Sequence, residues 1–354
     1  MHWLVSRVLW NPETRRPRLP WRVGLGVVVL GLVSLLVTLG VRAALGSGPG
    51  GVVAASLQVQ SSGLASVLSM GVLTASTFAG VYLAGRLVDR RRFADFGFHL
   101  DGDWWADFAA GAGSGVVLMT AIFLVELAAG WVRVTDTLVS ATGRSFALPF
   151  LASLVFFVGV AVTEELLTRG YLLKNVAEGL ADFGPVTPRA GVVVATIATA
   201  TVFGLGHANN PNATPVSTAA LGFAGIFLAV GYVLTGELGF PVGLHLTWNF
   251  FQGNVYGFPV SGTGTRATVL AVSQRGPQWV TGGPFGPEAG LLGVVAMLAG
   301  IALTAAWVRR REGRVALAPA VWRPDLRWCD GQGDQSATTS GREHDEVHEA
   351  GDGE

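Results

Sequence analysis

Apolar runs of roughly twenty residues recur along the chain, separated by short clusters of Arg, Lys, Gly and Pro. A helix needs about 20 apolar residues to cross the hydrocarbon core of a bilayer. On that ruler the pattern predicts spans near 23–45, 62–86, 106–132, 148–172, 190–208, 215–235, 239–257 and 288–308. The expected fold class is all-α, a polytopic transmembrane helix bundle of about eight spans. The first run follows a basic segment, but it is too long for a signal-peptide core and more spans follow, so it reads as a retained helix. No internal repeat of the kind that marks many transporters is visible.

Six stretches follow from this pattern. Residues 1–22 are a basic N-terminal arm, 23–145 the N-terminal membrane helices, and 146–257 a core in which polar residues interrupt apolar helices. Residues 258–287 form a loop rich in Gly and Pro, 288–314 the last helix with its basic exit, and 315–354 a polar, acidic tail that is expected to be disordered. Cations cluster in alternate connections: Arg7, Arg15, Arg16, Arg18 and Arg22 before the first span, Arg86 and Arg90 to Arg92 after the second, Lys174 and Arg189 after the fourth, and Arg309 to Arg311 with Arg314 after the last. The positive-inside rule then places both termini in the cytoplasm of a multi-pass cell-membrane protein.

Composition agrees with a membrane class. Half of the 354 residues are hydrophobic and 14% are charged, with a mean hydropathy of +0.48, more apolar surface than a soluble domain could hide. The 49 glycines suit close helix contacts in lipid. A formal net charge of zero argues against a nucleic-acid partner. The single cysteine, Cys329, excludes an intramolecular disulfide framework and any multi-cysteine metal site.

An ionisable group inside a span is costly in lipid, so it marks either function or a structural ion pair. The fourth span contains Thr163-Glu164-Glu165-Leu166-Leu167-Thr168-Arg169. Glu165 and Arg169 are four apart, on one face and able to pair, while Glu164 points about 100° away. The fifth span ends Phe203-Gly204-Leu205-Gly206-His207, and the seventh contains His245-Leu246-Thr247-Trp248-Asn249. Together these supply a carboxylate that could act as general base on water, and two imidazoles with an amide that could bind a metal or donate to a developing oxyanion. For the three segments to meet, either the fourth helix must protrude beyond the bundle or the sixth must be tilted or broken. Glu126, toward the end of the third span, reads as an acid reaching the interface. His344 and His348 of His-Asp-Glu-Val-His lack the Glu after the first His that a zinc-protease helix needs, and read as coincidence.

These residues resemble the CPBP family of intramembrane proteases, the CAAX prenyl protease and bacteriocin-processing group that includes the type II CAAX prenyl endopeptidases. The family's Glu-Glu-x-x-x-Arg motif matches Glu164, Glu165 and Arg169, its Phe-x-x-x-His motif Phe203 and His207, and its His-x-x-x-Asn motif His245 and Asn249. The resemblance covers roughly 148–257, and Gly282 to Glu288 is similar to a segment that follows the core in many bacterial members. It implies an intramembrane endopeptidase in which Glu164 activates water, Glu165 and Arg169 support it, and His207, His245 and Asn249 stabilise the oxyanion. It also implies that Glu164, His207 and His245 could hold a divalent metal, zinc being the candidate, with a metal-free glutamate mechanism as the alternative. The expected partners are the bilayer and a membrane-associated protein or peptide substrate, cut near the cytoplasmic side. The competing class is a non-catalytic, immunity-type binding protein that uses the same polar pocket. Substrate-binding residues are not legible.

Overall fold

The computed structural model describes residues 8–45, 63–140, 145–183 and 185–326. A short arm, β1 (Trp10–Asn11) paired antiparallel with β2 (Arg16–Pro17), leads into α1 (Leu19–Leu45). Next, α2 (Gly63–Ala84) closes in a π-helical turn, Gly85–Asp89, and α3 (Gly102–Ala128) follows. Its first turn is capped by Asp101, whose carboxylate accepts the Trp104 N–H at 2.8 Å. Beyond β3 (Val132–Ser140), α4 (Ala147–Glu165) passes through π-helical Leu166–Leu173 into α5 (Lys174–Ala181) without a break. Helices α6 (Pro188–Gly206), α7 (Pro215–Thr235) and α8 (Gly239–Phe250) come next. Strand β4 (Ala267–Gln274) then pairs antiparallel with β3. A one-turn α9 (Gln278–Thr281) precedes α10 (Leu291–Glu312).

Seven helical segments among the described residues are long and apolar enough to span: 19–41, 65–89, 102–128, 147–181, 188–206, 215–235 and 291–312. The chain is a multi-pass membrane protein. The remaining expected span, α8, has 12 residues and is buried along nearly its whole length, so it is a helix of the protein interior.

What lets α8 sit there is a seam of glycines. On α3, a Cβ added to Gly111 would lie 2.1 Å from the Phe240 carbonyl oxygen, and one on Gly115 2.2 Å from Thr247 Oγ1. On α8, a Cβ on Gly239 would lie 2.4 Å from the Trp104 oxygen, and one on Gly243 2.2 Å from the Phe108 oxygen. Two Gly-x-x-x-Gly pairs thus interlock backbone against backbone, the contact that small residues permit where no hydrophobic drive exists.

The 35-residue segment 147–181 overshoots the bundle. Gly170 lies against the Phe96 carbonyl and the Leu238 side chain, level with the turn between α7 and α8, so α5 projects beyond that turn. A protruding fourth helix is therefore what brings the site together. The projection is fastened by buried charges. Glu178 pairs with Arg91 at 2.6 Å and Arg16 at 3.2 Å, and Lys174 with Asp95 at 3.0 Å. Arg22 donates to the Asn175 carbonyl at 2.8 Å.

Three expectations are corrected. The third span ends at Ala128, and Val132 opens β3, buried and paired with Gln274. Glu126 does not reach an interface: it is buried and accepts from Gln274 Nε2 at 2.9 Å, because β4 folds over the end of α3. Residues 315–326 are not a loose tail. Ala318 N–H donates to Val233 O at 2.9 Å, Lys174 Nζ to Ala320 O at 2.5 Å, and Val321 is fully buried. Cys329, His344 and His348 lie outside the described residues.

The glycine seam can be tested by a pair of substitutions. Gly243→Val should destabilise the protein by roughly 1–3 kcal/mol or more, since a backbone carbonyl cannot yield as a side chain does. Gly31→Ala, at a mid-helix position with nothing within 4 Å, should leave stability unchanged or raise it by up to about 1 kcal/mol. Thermal unfolding in detergent measures both.

Candidate active site

The two carboxylates of α4 take different roles because of their positions around the helix. Glu165 faces inward and is fully buried. Its Oε1 accepts from Arg169 Nη1 at 2.9 Å, one turn on, and from His245 Nδ1 at 2.8 Å. Arg169 is in turn fixed by the Gly225 carbonyl at 2.8 Å and by Thr168 Oγ1 at 2.8 Å, with its guanidinium carbon 4.8 Å from the centre of the Phe203 ring. The ion pair thus gathers α4, α6, α7 and α8 around one point, and the Phe of the Phe-x-x-x-His pattern is the apolar floor under the cation.

Glu164 is turned away from this pair, with a side chain one-third exposed. Its Oε2 is nonetheless hidden and accepts no hydrogen bond, and it lies 3.9 Å from His245 Nε2. A carboxylate can only accept, so in the short Glu165 contact Nδ1 of His245 carries a proton, and Nε2 has a lone pair when the ring is neutral. The same logic holds for His207. Its Nδ1 lies 2.8 Å from the Phe203 carbonyl, which must accept, so its Nε2 also carries a lone pair when the ring is neutral.

Glu164, His207, His245 and Asn249 all line one cavity of about 420 Å³. Phe156, Val160, Phe227 and Trp248 form much of its apolar wall. Every site residue that the sequence pattern picks out is therefore at this cavity or, for Glu165 and Arg169, directly behind it. The oriented imidazoles would suit a metal. However, among the described residues no group of three His, Cys, Asp or Glu side chains is placed to share one ion, so the side-chain arrangement does not fit a three-ligand zinc site.

Among the polar residues of the cavity that the sequence reading did not pick out as site residues are Asn210, Ser261 and Glu288. The rule applied to Glu164, that an acid at an apolar span marks function or a buried pair, also applied to Glu288 at the start of the last expected span. Glu288 is buried, and accepts from the Ser261 N–H at 2.5 Å and from the Gln252 side-chain amide. Burial pushes its carboxyl up to about 7, against the opposing pull of these hydrogen bonds.

Residues 146–251 match the family model described as Type II CAAX prenyl endopeptidase Rce1-like. Residues 146–251 are thus similar to the CAAX-protease domain of the Rce1-like family. That family consists of intramembrane endopeptidases of the CAAX-protease type, and the matched stretch contains all seven residues of the three motifs. No curated protein and no solved structure matches the chain.

Removing Arg169 leaves Glu165 buried with only His245 for company. Arg169→Ala should cost roughly 3–5 kcal/mol, the usual penalty for breaking a buried pair, and should impair activity as well. Yield and unfolding temperature equal to the parent would contradict the pairing.

Proposed function

We propose that the chain is an intramembrane endopeptidase in which Glu164 activates a water for attack on a peptide carbonyl. The observation that carries this reading is the 3.9 Å gap between Glu164 Oε2 and His245 Nε2, which with a neutral imidazole are two facing acceptors. One water donating a hydrogen to each spans such a gap, which orients its oxygen lone pair into the cavity.

In the reaction, the water oxygen bonds to the carbonyl carbon as its proton passes to Glu164. The carbonyl oxygen becomes an oxyanion beside Asn249, whose amide N–H groups are neutral donors. His207 can donate from Nε2 only as imidazolium, because its other nitrogen is held by Phe203. The carbon–nitrogen bond then breaks as Glu164 returns the proton to the leaving amine. Glu165 holds His245 in the required tautomer, and Arg169 holds Glu165 in place through their ion pair. No step needs a metal.

Glu164 lies six residues, roughly 9 Å of helix rise, from Gly170 at the level of the α7–α8 turn. With the termini in the cytoplasm of the cell membrane, as the cation pattern indicates, cleavage falls near the cytoplasmic leaflet. The substrate is a membrane-associated protein or peptide, and a prenylated CAAX sequence is the first to try because of the family's name.

The test uses purified protein in proteoliposomes with a farnesylated CAAX peptide, its unprenylated counterpart and a set of membrane-inserted peptides, with products read by mass spectrometry. Glu164→Gln should lower cleavage by about 10²–10⁴-fold, the range of general-base catalysis, with an unchanged unfolding temperature. Full activity in that variant would remove the proposed base. Binding without product in the parent would favour the immunity-type reading. Activity lost to a chelator and restored by zinc would overturn the metal-free step.

A further inference from the structure

The loops over the cavity are tied together at one buried acid. Glu288 arrives there through Gly282-Gly283-Pro284-Phe285-Gly286-Pro287, in which Gly282, Gly283 and Gly286 all have positive φ. Gly286, at φ +127°, has a second reason to lack a side chain: a Cβ there would fall 2.5 Å from the Glu288 carboxylate and 2.5 Å from the Pro259 carbonyl. The turn is shaped to deliver this carboxylate and leave room for its donors.

From Glu288 two paths lead to the reacting groups. The first starts at Oε1, which accepts the Ser261 N–H. The Ser261 carbonyl accepts from Asn210 Nδ2 at 2.9 Å, and the Asn210 N–H donates to the His207 carbonyl at 3.0 Å. The second starts at Oε2, which accepts from Gln252, three residues after Asn249 in the same helical run. The Gln252 amide also donates to the Pro259 carbonyl at 2.5 Å, which closes the loop onto α8. His207 is the C-cap of α6, its ring bonded to the Phe203 carbonyl and its own carbonyl to the Asn210 N–H, and Asn249 is close to where α8 gives way to a π-helical turn, Phe251–Val255.

We infer that Glu288 is a positioning residue that sets His207 and Asn249 in register across the cavity, through Ser261–Asn210 on one side and Gln252 on the other. The inference rests on the reading of these two residues as the oxyanion-side groups. Burying a carboxyl is costly, and an apolar residue would fill the same space without that cost. The carboxylate has what an apolar residue lacks: two acceptor oxygens at a fixed angle, joining two segments far apart in sequence.

Glu288→Gln keeps the size but only one acceptor oxygen; with that oxygen on the Gln252 amide, its NH2 is set against the Ser261 N–H and the first path is broken. Asn210→Ala cuts the first path alone. Each should lower kcat on whichever of the above peptides the parent cleaves by about ten- to a hundredfold, the scale of a misplacement near 1 Å, with KM within about twofold. The double variant should be no slower than the slower single one, because both act through one path. Independently of any substrate, hydrogen–deuterium exchange in detergent should quicken in 203–214 and 257–263 of Glu288→Gln and stay as in the parent along α7 and α10. Multiplying effects in the double variant, a change confined to KM, uniform loosening of the bundle with a fallen unfolding temperature, or parental exchange in both loops would each overturn the inference. If the parent cleaves no peptide, the enzyme reading fails and the exchange data alone decide whether Glu288 organises the two loops.

Discussion

The buried pair of Glu165 and Arg169 is the constraint around which the rest is arranged. A guanidinium inside an apolar bundle is tolerable only if its donors are occupied, and here a carboxylate, a hydroxyl, a backbone carbonyl and an aromatic face share that task. The carboxylate and hydroxyl come from the cation's own helical run, the carbonyl from α7 and the ring from α6, so satisfying the cation fixes these three relative to one another. The carboxylate has one more acceptor direction to offer, and His245 takes it. The orientation of the imidazole toward Glu164 is thus inherited from a structural ion pair. The same contacts that bury the cation also orient the imidazole.

Helix α8 shows how such precision is reached without length. The helix, with the π-helical turn Phe251–Val255 that extends it, is surrounded by protein on nearly every side, so lipid does not anchor it. Backbone contact at Gly111, Gly115, Gly239 and Gly243 replaces the side-chain layer that normally separates helices. Main-chain atoms have little freedom to rearrange, so His245 and Asn249 are placed by contacts that cannot adjust. The high glycine content is spent in part here, on the helix whose position matters most to the cavity.

Much of this was legible in the sequence, for identifiable reasons. Charges in apolar spans are rare enough that Glu164, Glu165, Arg169, His207, His245 and Asn249 stood out individually, and helical spacing paired Glu165 with Arg169 correctly. The level at which the three segments meet was not legible, since it depends on Gly170 lying against Leu238 and Phe96, a contact between segments far apart in the chain. The β3–β4 pair was missed because the length ruler for spans absorbed Val132 into the preceding helix. Glu126 was misplaced as a result, for only with β4 present does Gln274 come to meet it. Glu288 was visible as an acid at the edge of a span, but its meaning depends on Ser261 and Gln252, which carry no charge to draw attention.

Both ends of the described chain fasten to the same short helix. Arg16 and Arg22 grip α5 from one side, through Glu178 and the Asn175 carbonyl, and the stretch around Ala320 takes Lys174 from the other. Mechanically this is a closed clasp. A pull on the arm or on the segment after α10 is resisted at one shared cluster, before any spanning helix carries the load. Extraction from the bilayer, whichever end is seized, therefore begins with the rupture of the same few charged contacts.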